Sequence, residues 1–176
     1  MEDMRTIEYE NPWFQVIREG RYYFVQEPKA QNAAAVLMQS VIPGPTLGKF
    51  ILVEQTRPAS GGRCLEIVRG YGEPGEDSAM CARREALEET GYELDRGSLR
   101  HLGAVRPNSA ILAGPVDLYY GQARRRAGRP DDEIDCCILL DERDLKSKIV
   151  SGEILDGFTL SAYLLWTLKD GCSSDG

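Results

Sequence analysis

One stretch restricts this chain more than any other: GYGEPGEDSAMCARREALEETGY, from Gly70 to Tyr92. Its first part, Gly70, Gly72, Glu73, Pro74, Gly75 and Glu76, reads as a loop rich in glycine and acid. Asp77 or Ser78 can then cap a helix by accepting a bond from a free N–H of its first turn. The helix runs on to Glu89, and Gly91 supplies a left-handed stop. At about 100° per residue, Ala79, Met80, Ala82, Ala86 and Leu87 are expected on one side, with Glu85, Glu88 and Glu89 on the other.

A solvated acidic face is the ordinary reading of such a helix. Here it is strained, because Glu85 and Glu89 are like charges at i, i+4, which costs roughly 0.2–0.5 kcal/mol. Arg84 can pair with Glu88, but two carboxylates then remain side by side with Glu76 one loop away. Hard divalent cations bind where carboxylate oxygens and a backbone carbonyl converge. The pattern therefore predicts a Mg²⁺ or Mn²⁺ site.

The order Gly70, five residues, Glu76, seven residues, Arg84-Glu85, Ala86, one residue, Glu88-Glu89, one residue, Gly91, Tyr92 resembles the complete motif of the Nudix hydrolases. Every fixed position is filled. The resemblance implies metal-dependent hydrolysis of a nucleoside diphosphate linked to another moiety. It implies an α/β fold, the Nudix α/β/α sandwich with a mixed sheet, over residues 44–170. Residues 1–43 would form a β-rich extension of the kind that dimerises related enzymes, so a homodimer is expected, and 171–176 a mobile tail.

The likeness continues outside the motif. FILVEQTRPASGGRCLEIVRG resembles the approach to the motif in ADP-ribose pyrophosphatases, and Pro107, fifteen residues past Tyr92, has that subgroup's spacing. DDEIDCCILLDERDL and SGEILDGFTLSAYLLW resemble its closing segments. Two positions depart: Val68-Arg69 stand where the subgroup has Pro-Ala, and Asn108 stands where it has glycine. The implied reaction is cleavage of ADP-ribose to AMP and ribose 5-phosphate. Alternatives are hydrolysis of another nucleotide sugar, such as GDP-mannose or UDP-glucose, and a non-catalytic nucleotide-sensing module.

Carried onto this sequence, the resemblance makes Glu85 and Glu89 the principal metal ligands, with the Arg69 carbonyl and Glu88 completing the shell. Arg84 would orient a carboxylate, and Glu76 would be either a ligand through water or a partner of Arg84. Glu133, in the late loop Asp131-Asp132-Glu133, would be the general base. Arg57 would bind phosphate or terminal ribose through its bidentate fork. Glu66 would meet a ribose hydroxyl or the adenine amine, with Arg106 and Pro107 at the substrate. Gly70, Glu76 and Gly91 would shape the loop.

Composition narrows the surroundings. A chain of 176 residues, 42% hydrophobic, suits one soluble domain with its own core. A net charge of −7 argues against a nucleic-acid partner. No apolar run approaches the roughly 20 residues that span a bilayer, and MEDMRTIEYE lacks the plan of a secretory signal. Five cysteines without a CxxC pair suit free thiols in a reducing, cytoplasmic setting. The lone His101 reads as structural. Strands are expected around Trp13–Ile17, Arg21–Val25, Ala33–Ile42, Lys49–Glu54, Cys64–Val68, Leu99–Arg106, Val116–Arg124 and Ile134–Leu139. Helices are expected over Asp141–Ile149 and Asp156–Leu168.

Overall fold

A computed structural model describes residues 5–28, 30–130 and 134–171. Its centre is a pair of strands that read as almost unbroken apolar runs. β4 (Ala34–Ser40) and β5 (Phe50–Arg57) are buried on both faces over most of their length, the pattern of strands covered on each side. Alternation sends Ala34, Val36, Met38, Ile51 and Val53 to one face, and Ala35, Leu37, Phe50 and Leu52 to the other. Each buried aliphatic side chain contributes roughly 1.5–3 kcal/mol, so a charge placed at Leu37 would break the sheet.

Around them an eight-stranded mixed sheet forms in the order β11-β5-β4-β10-β8, with β6 on β5, β7 on β4 and β9 on β10. The added strands are β6 (Gly62–Glu66), β7 (Val68–Gly70), β8 (Tyr92–Leu94), β9 (Arg100–Val105), β10 (Val116–Arg126) and β11 (Cys136–Leu140). β4 and β10 run parallel, and the other pairs are antiparallel. Helix α1 (Ser78–Thr90) covers the first face through Cys81, Ala82 and Ala86. Helices α2 (Glu142–Val150) and α3 (Gly157–Gly171) cover the second through Leu145 and Ala162. The Phe50 and Trp166 rings pack nearly perpendicular there, with centroids 5.2 Å apart. The result is the expected α/β/α sandwich.

A separate antiparallel sheet of β1 (Arg5–Glu10), β2 (Gln15–Glu19) and β3 (Tyr22–Gln26) precedes it. The boundary expected at residue 43 is corrected by this topology. Ala34–Ser40 is an inner strand of the large sheet, so the extension ends in the segment between Gln26 and Ala34. Extension and sandwich join where the Val25 N–H donates to the Ile111 carbonyl (2.7 Å) and the Ala113 N–H to the Val25 carbonyl (2.8 Å). No helix among the described residues is long and apolar enough to cross a membrane.

Candidate active site

Of the two possible caps for α1, Asp77 takes the role, its Oδ1 accepting from the Met80 N–H at 2.7 Å. The Ser78 hydroxyl instead donates to Asp117 at 2.6 Å. At the other end Gly91 adopts φ 70° and its N–H closes on the Leu87 carbonyl. The helix is rotated differently from the expected division. Met80 and Leu87 are exposed, while Cys81, Ala82, Ala86 and Thr90 are buried. On a helical wheel Glu85 and Glu89 fall between Cys81 and Ala82, so these two acids border the core rather than solvent.

β7 delivers the loop to that border. A Cβ on Gly70 would sit 1.9 Å from the Glu85 carboxyl carbon, so a larger residue there would push that carboxylate out of its present position. One residue earlier, the Arg69 N–H donates to Glu89 Oε2 at 3.3 Å. Burial is the main reason the Glu89 carboxyl is pushed up to about 7, and the charge on Glu85 adds to it. Burial also raises Glu85, against the opposing bond from Arg84.

Arg84 is the hub of the loop. Its Nε donates to Glu76 Oε1 (3.0 Å), its Nη1 to Glu85 Oε1 and Glu88 Oε2 (2.8 Å each), and its Nη2 to the Tyr71 carbonyl (2.7 Å). This supports the partner reading of Glu76, whose carboxyl is held below the usual range by that guanidinium. Glu88 is 44% exposed, against 13% for Glu85, and neither Glu88 nor Glu76 lines the cleft.

The cleft itself has a volume of about 890 Å³ and brings Arg57, Arg69, Gly70, Arg84, Glu85 and Glu89 together. Arg57 and Glu66, assigned separate substrate contacts from the sequence, are bound to each other. Nε donates to Oε1 at 3.0 Å and Nη2 to Oε2 at 2.9 Å. Glu66 is thereby a buried support that aims Arg57, while the guanidinium still borders the cleft. Arg106 is exposed and lines neither this cleft nor the smaller cavity beside it, whereas Pro107 lines the smaller one. Glu133 lies outside the described residues. His101 bonds Asp117 at 3.1 Å, in keeping with a structural role.

Sequence reasoning missed the wall made by the segment between β3 and β4. Pro28, Gln31 and Asn32 line the cleft beside the glycine loop. The Tyr71 hydroxyl donates to Glu27 (2.7 Å), the Gly72 N–H to the Gln31 carbonyl (3.2 Å) and the Asn32 Nδ2 to the Glu76 carbonyl (2.7 Å). Asn32 does this at φ 55°, and among the described residues it is the one non-glycine with positive φ. Its sequence signal was weak: an asparagine between two apolar runs marks a turn but not its partner.

A family profile described as NUDIX domain matches residues 28–149. The chain belongs to the NUDIX domain family. The match begins within the β3–β4 segment, in agreement with the boundary drawn from the sheet. ADP-sugar pyrophosphatase of Mus musculus is 51% identical over 43 residues, a stretch covering 24% of this chain and 20% of that protein. The chain thus matches about a fifth of that relative's length. A crystal structure of an ADP compounds hydrolase superimposes with a TM-score of 0.73 at 16% identity, covering 96% of this chain and 94% of that one. At that identity the likeness shows a shared fold.

Proposed function

We propose that this chain is a Mg²⁺-dependent pyrophosphatase that hydrolyses ADP-ribose to AMP and ribose 5-phosphate. One observation carries the reading: Glu85 and Glu89 stand together in the cleft, with Glu89 raised to about 7 and Arg57 and Arg69 bordering the same space. The similarity to an ADP-sugar pyrophosphatase supports an adenosine diphosphate on the substrate.

The donor set fits Mg²⁺. Among the described residues no three Asp, Glu, His or Cys side chains form a ready cation site. Mg²⁺ ordinarily takes one or two carboxylates and fills its octahedron with phosphate oxygens and water. Glu85, Glu89 and the Arg69 carbonyl would hold it, with Mn²⁺ as a substitute. When bound, such an ion neutralises phosphate charge and lowers the pKa of a water molecule. Arg84 fixes the Glu85 carboxylate, and Glu66 takes the Nε proton and one Nη2 proton of Arg57, which leaves the Nη1 and second Nη2 protons for a phosphate. Glu133 is assigned the general base on the family resemblance. A cytoplasmic location and a homodimer belong to the same reading, the dimer supported by exposed Ile7, Tyr9, Trp13, Tyr22 and Tyr23 on the extension.

Turnover of ADP-ribose, GDP-mannose and UDP-glucose at fixed Mg²⁺, compared by kcat/KM, tests the proposal. ADP-ribose is expected to lead by at least tenfold. A lead for either other sugar replaces the substrate, and binding without turnover of any of them replaces the enzyme with a sensor.

A further inference from the structure

Beside the cleft lies a second cavity of about 200 Å³, and the two meet at Arg69 and Tyr71, which line both. It exists because the extension holds the loop before β10 in place through the paired bonds of Val25 with Ile111 and Ala113. Pro107, Leu112, Ala113 and Val116 give it apolar walls. At its edge the Arg69 guanidinium lies 4.6 Å from the centre of the Phe158 ring. The polar end is Glu27, which accepts from the Tyr71 hydroxyl at 2.7 Å.

These features select a ligand class. A sugar would bury several hydroxyls against apolar walls, at about 1–3 kcal/mol for each one unpaired. A flat heteroaromatic ring has no such penalty, and a guanidinium plane backed by a phenyl ring offers it a stacking surface. Tyr71 occupies one of roughly four acceptor sites on the Glu27 carboxylate, so Glu27 retains the capacity to accept from an exocyclic amino group. The Arg69 N–H bonds Glu89, so the mouth of this cavity stands next to the carboxylates of the cleft.

We propose that the second cavity is the nucleobase subsite and selects an amino-bearing purine, stacked on Arg69 and read by Glu27. The assignment of that purine to a cleaved substrate rests on the pyrophosphatase reading; the binding itself does not. Calorimetric titration with AMP, IMP and ribose 5-phosphate tests it. AMP and IMP differ at the exocyclic group that Glu27 would read. The unmodified protein is expected to bind AMP at least tenfold more tightly than IMP, and Glu27→Ala to bring the two within about threefold.

Ala113→Phe, which fills the cavity, is expected to weaken AMP at least tenfold and leave ribose 5-phosphate within twofold. Should that variant fail to fold, Phe158→Leu keeps an apolar side chain and is expected to weaken AMP about fivefold. The proposal is overturned if the unmodified protein binds no AMP, or binds AMP and IMP equally. It is also overturned if a folded cavity variant keeps full AMP affinity, or loses ribose 5-phosphate instead. AMP binding as expected, together with no hydrolysis of ADP-ribose, would refute the pyrophosphatase and leave the subsite standing.

Discussion

Glu76 and Glu89 belong to the same loop and helix, yet their carboxyl groups are shifted in opposite directions. Glu76 is lowered by the guanidinium of Arg84 and by a bond from the Glu73 N–H. Glu89 is raised to about 7 by burial and by Glu85. The difference separates two uses of one residue type. Glu76, held by several bonds from Arg84, keeps the loop in shape, and its charge is already answered, whereas Glu85 has one Arg84 bond and Glu89 a backbone N–H. The pair facing the cleft remains incompletely compensated, which is the condition for gripping a cation.

The largest expected effect comes from removing the incompletely compensated member. Glu89→Gln should lower kcat on ADP-ribose by about a thousandfold, roughly 4 kcal/mol of barrier, with an unchanged circular dichroism spectrum. Retention of most of the turnover would erase the contrast with Glu76. The same variant has an opposite effect on stability. Glu89 holds its proton more tightly folded than unfolded, so its favourable contribution is present below about pH 4.5 and lost as pH rises towards 7. Without metal, Glu89→Gln should therefore be more stable than the parent at pH 8, by at most about 3 kcal/mol, and equal to it at pH 4. Urea titrations at the two pH values measure this, and added Mg²⁺ should stabilise only the parent.

Gly70→Ala sharpens the comparison from the backbone side. Its Cβ would collide with the Glu85 carboxyl, so a loss of roughly 1–3 kcal/mol is expected, together with a fall in kcat. A thermal scan showing no change would mean that Glu85 moves freely. The smallest effect is expected at the hub. Arg84→Lys keeps the charge but not the fork that reaches Glu76, Glu85, Glu88 and the Tyr71 carbonyl together. A loss of about 1–2 kcal/mol should result, with the Glu76 carboxyl rising towards its ordinary value in an NMR titration. A Glu76 that still titrates low would show that Arg84 is not what holds it down.

Local pattern made the sandwich legible. β4 and β5 are apolar runs bounded by turn residues, and α1 carries both its cap and its glycine stop in sequence. β1 was missed because RTIEYE is charge-rich and mostly exposed, and β8 because three residues carry no period. The cleft-facing pair, Glu85 and Glu89, was singled out by spacing, but its burial was not. Counting acids as an outer face overlooked that Glu89 lies about 20° from Ala82 on the helical wheel. The Arg57–Glu66 pair and the Asn32 contact join residues through tertiary approach, and no periodicity announces such meetings.

The parallel pairing of β4 with β10 also governs when this molecule can be completed. Ala34 meets Asp117, and Ala35 meets Leu118, so one edge of the most apolar strand must wait for a segment more than eighty residues downstream. At about 5–20 residues per second of synthesis, that edge stays open on a nascent chain for several seconds. Through that interval an unfinished hydrophobic border is offered to chaperones and to neighbouring chains, before the sheet can close over it.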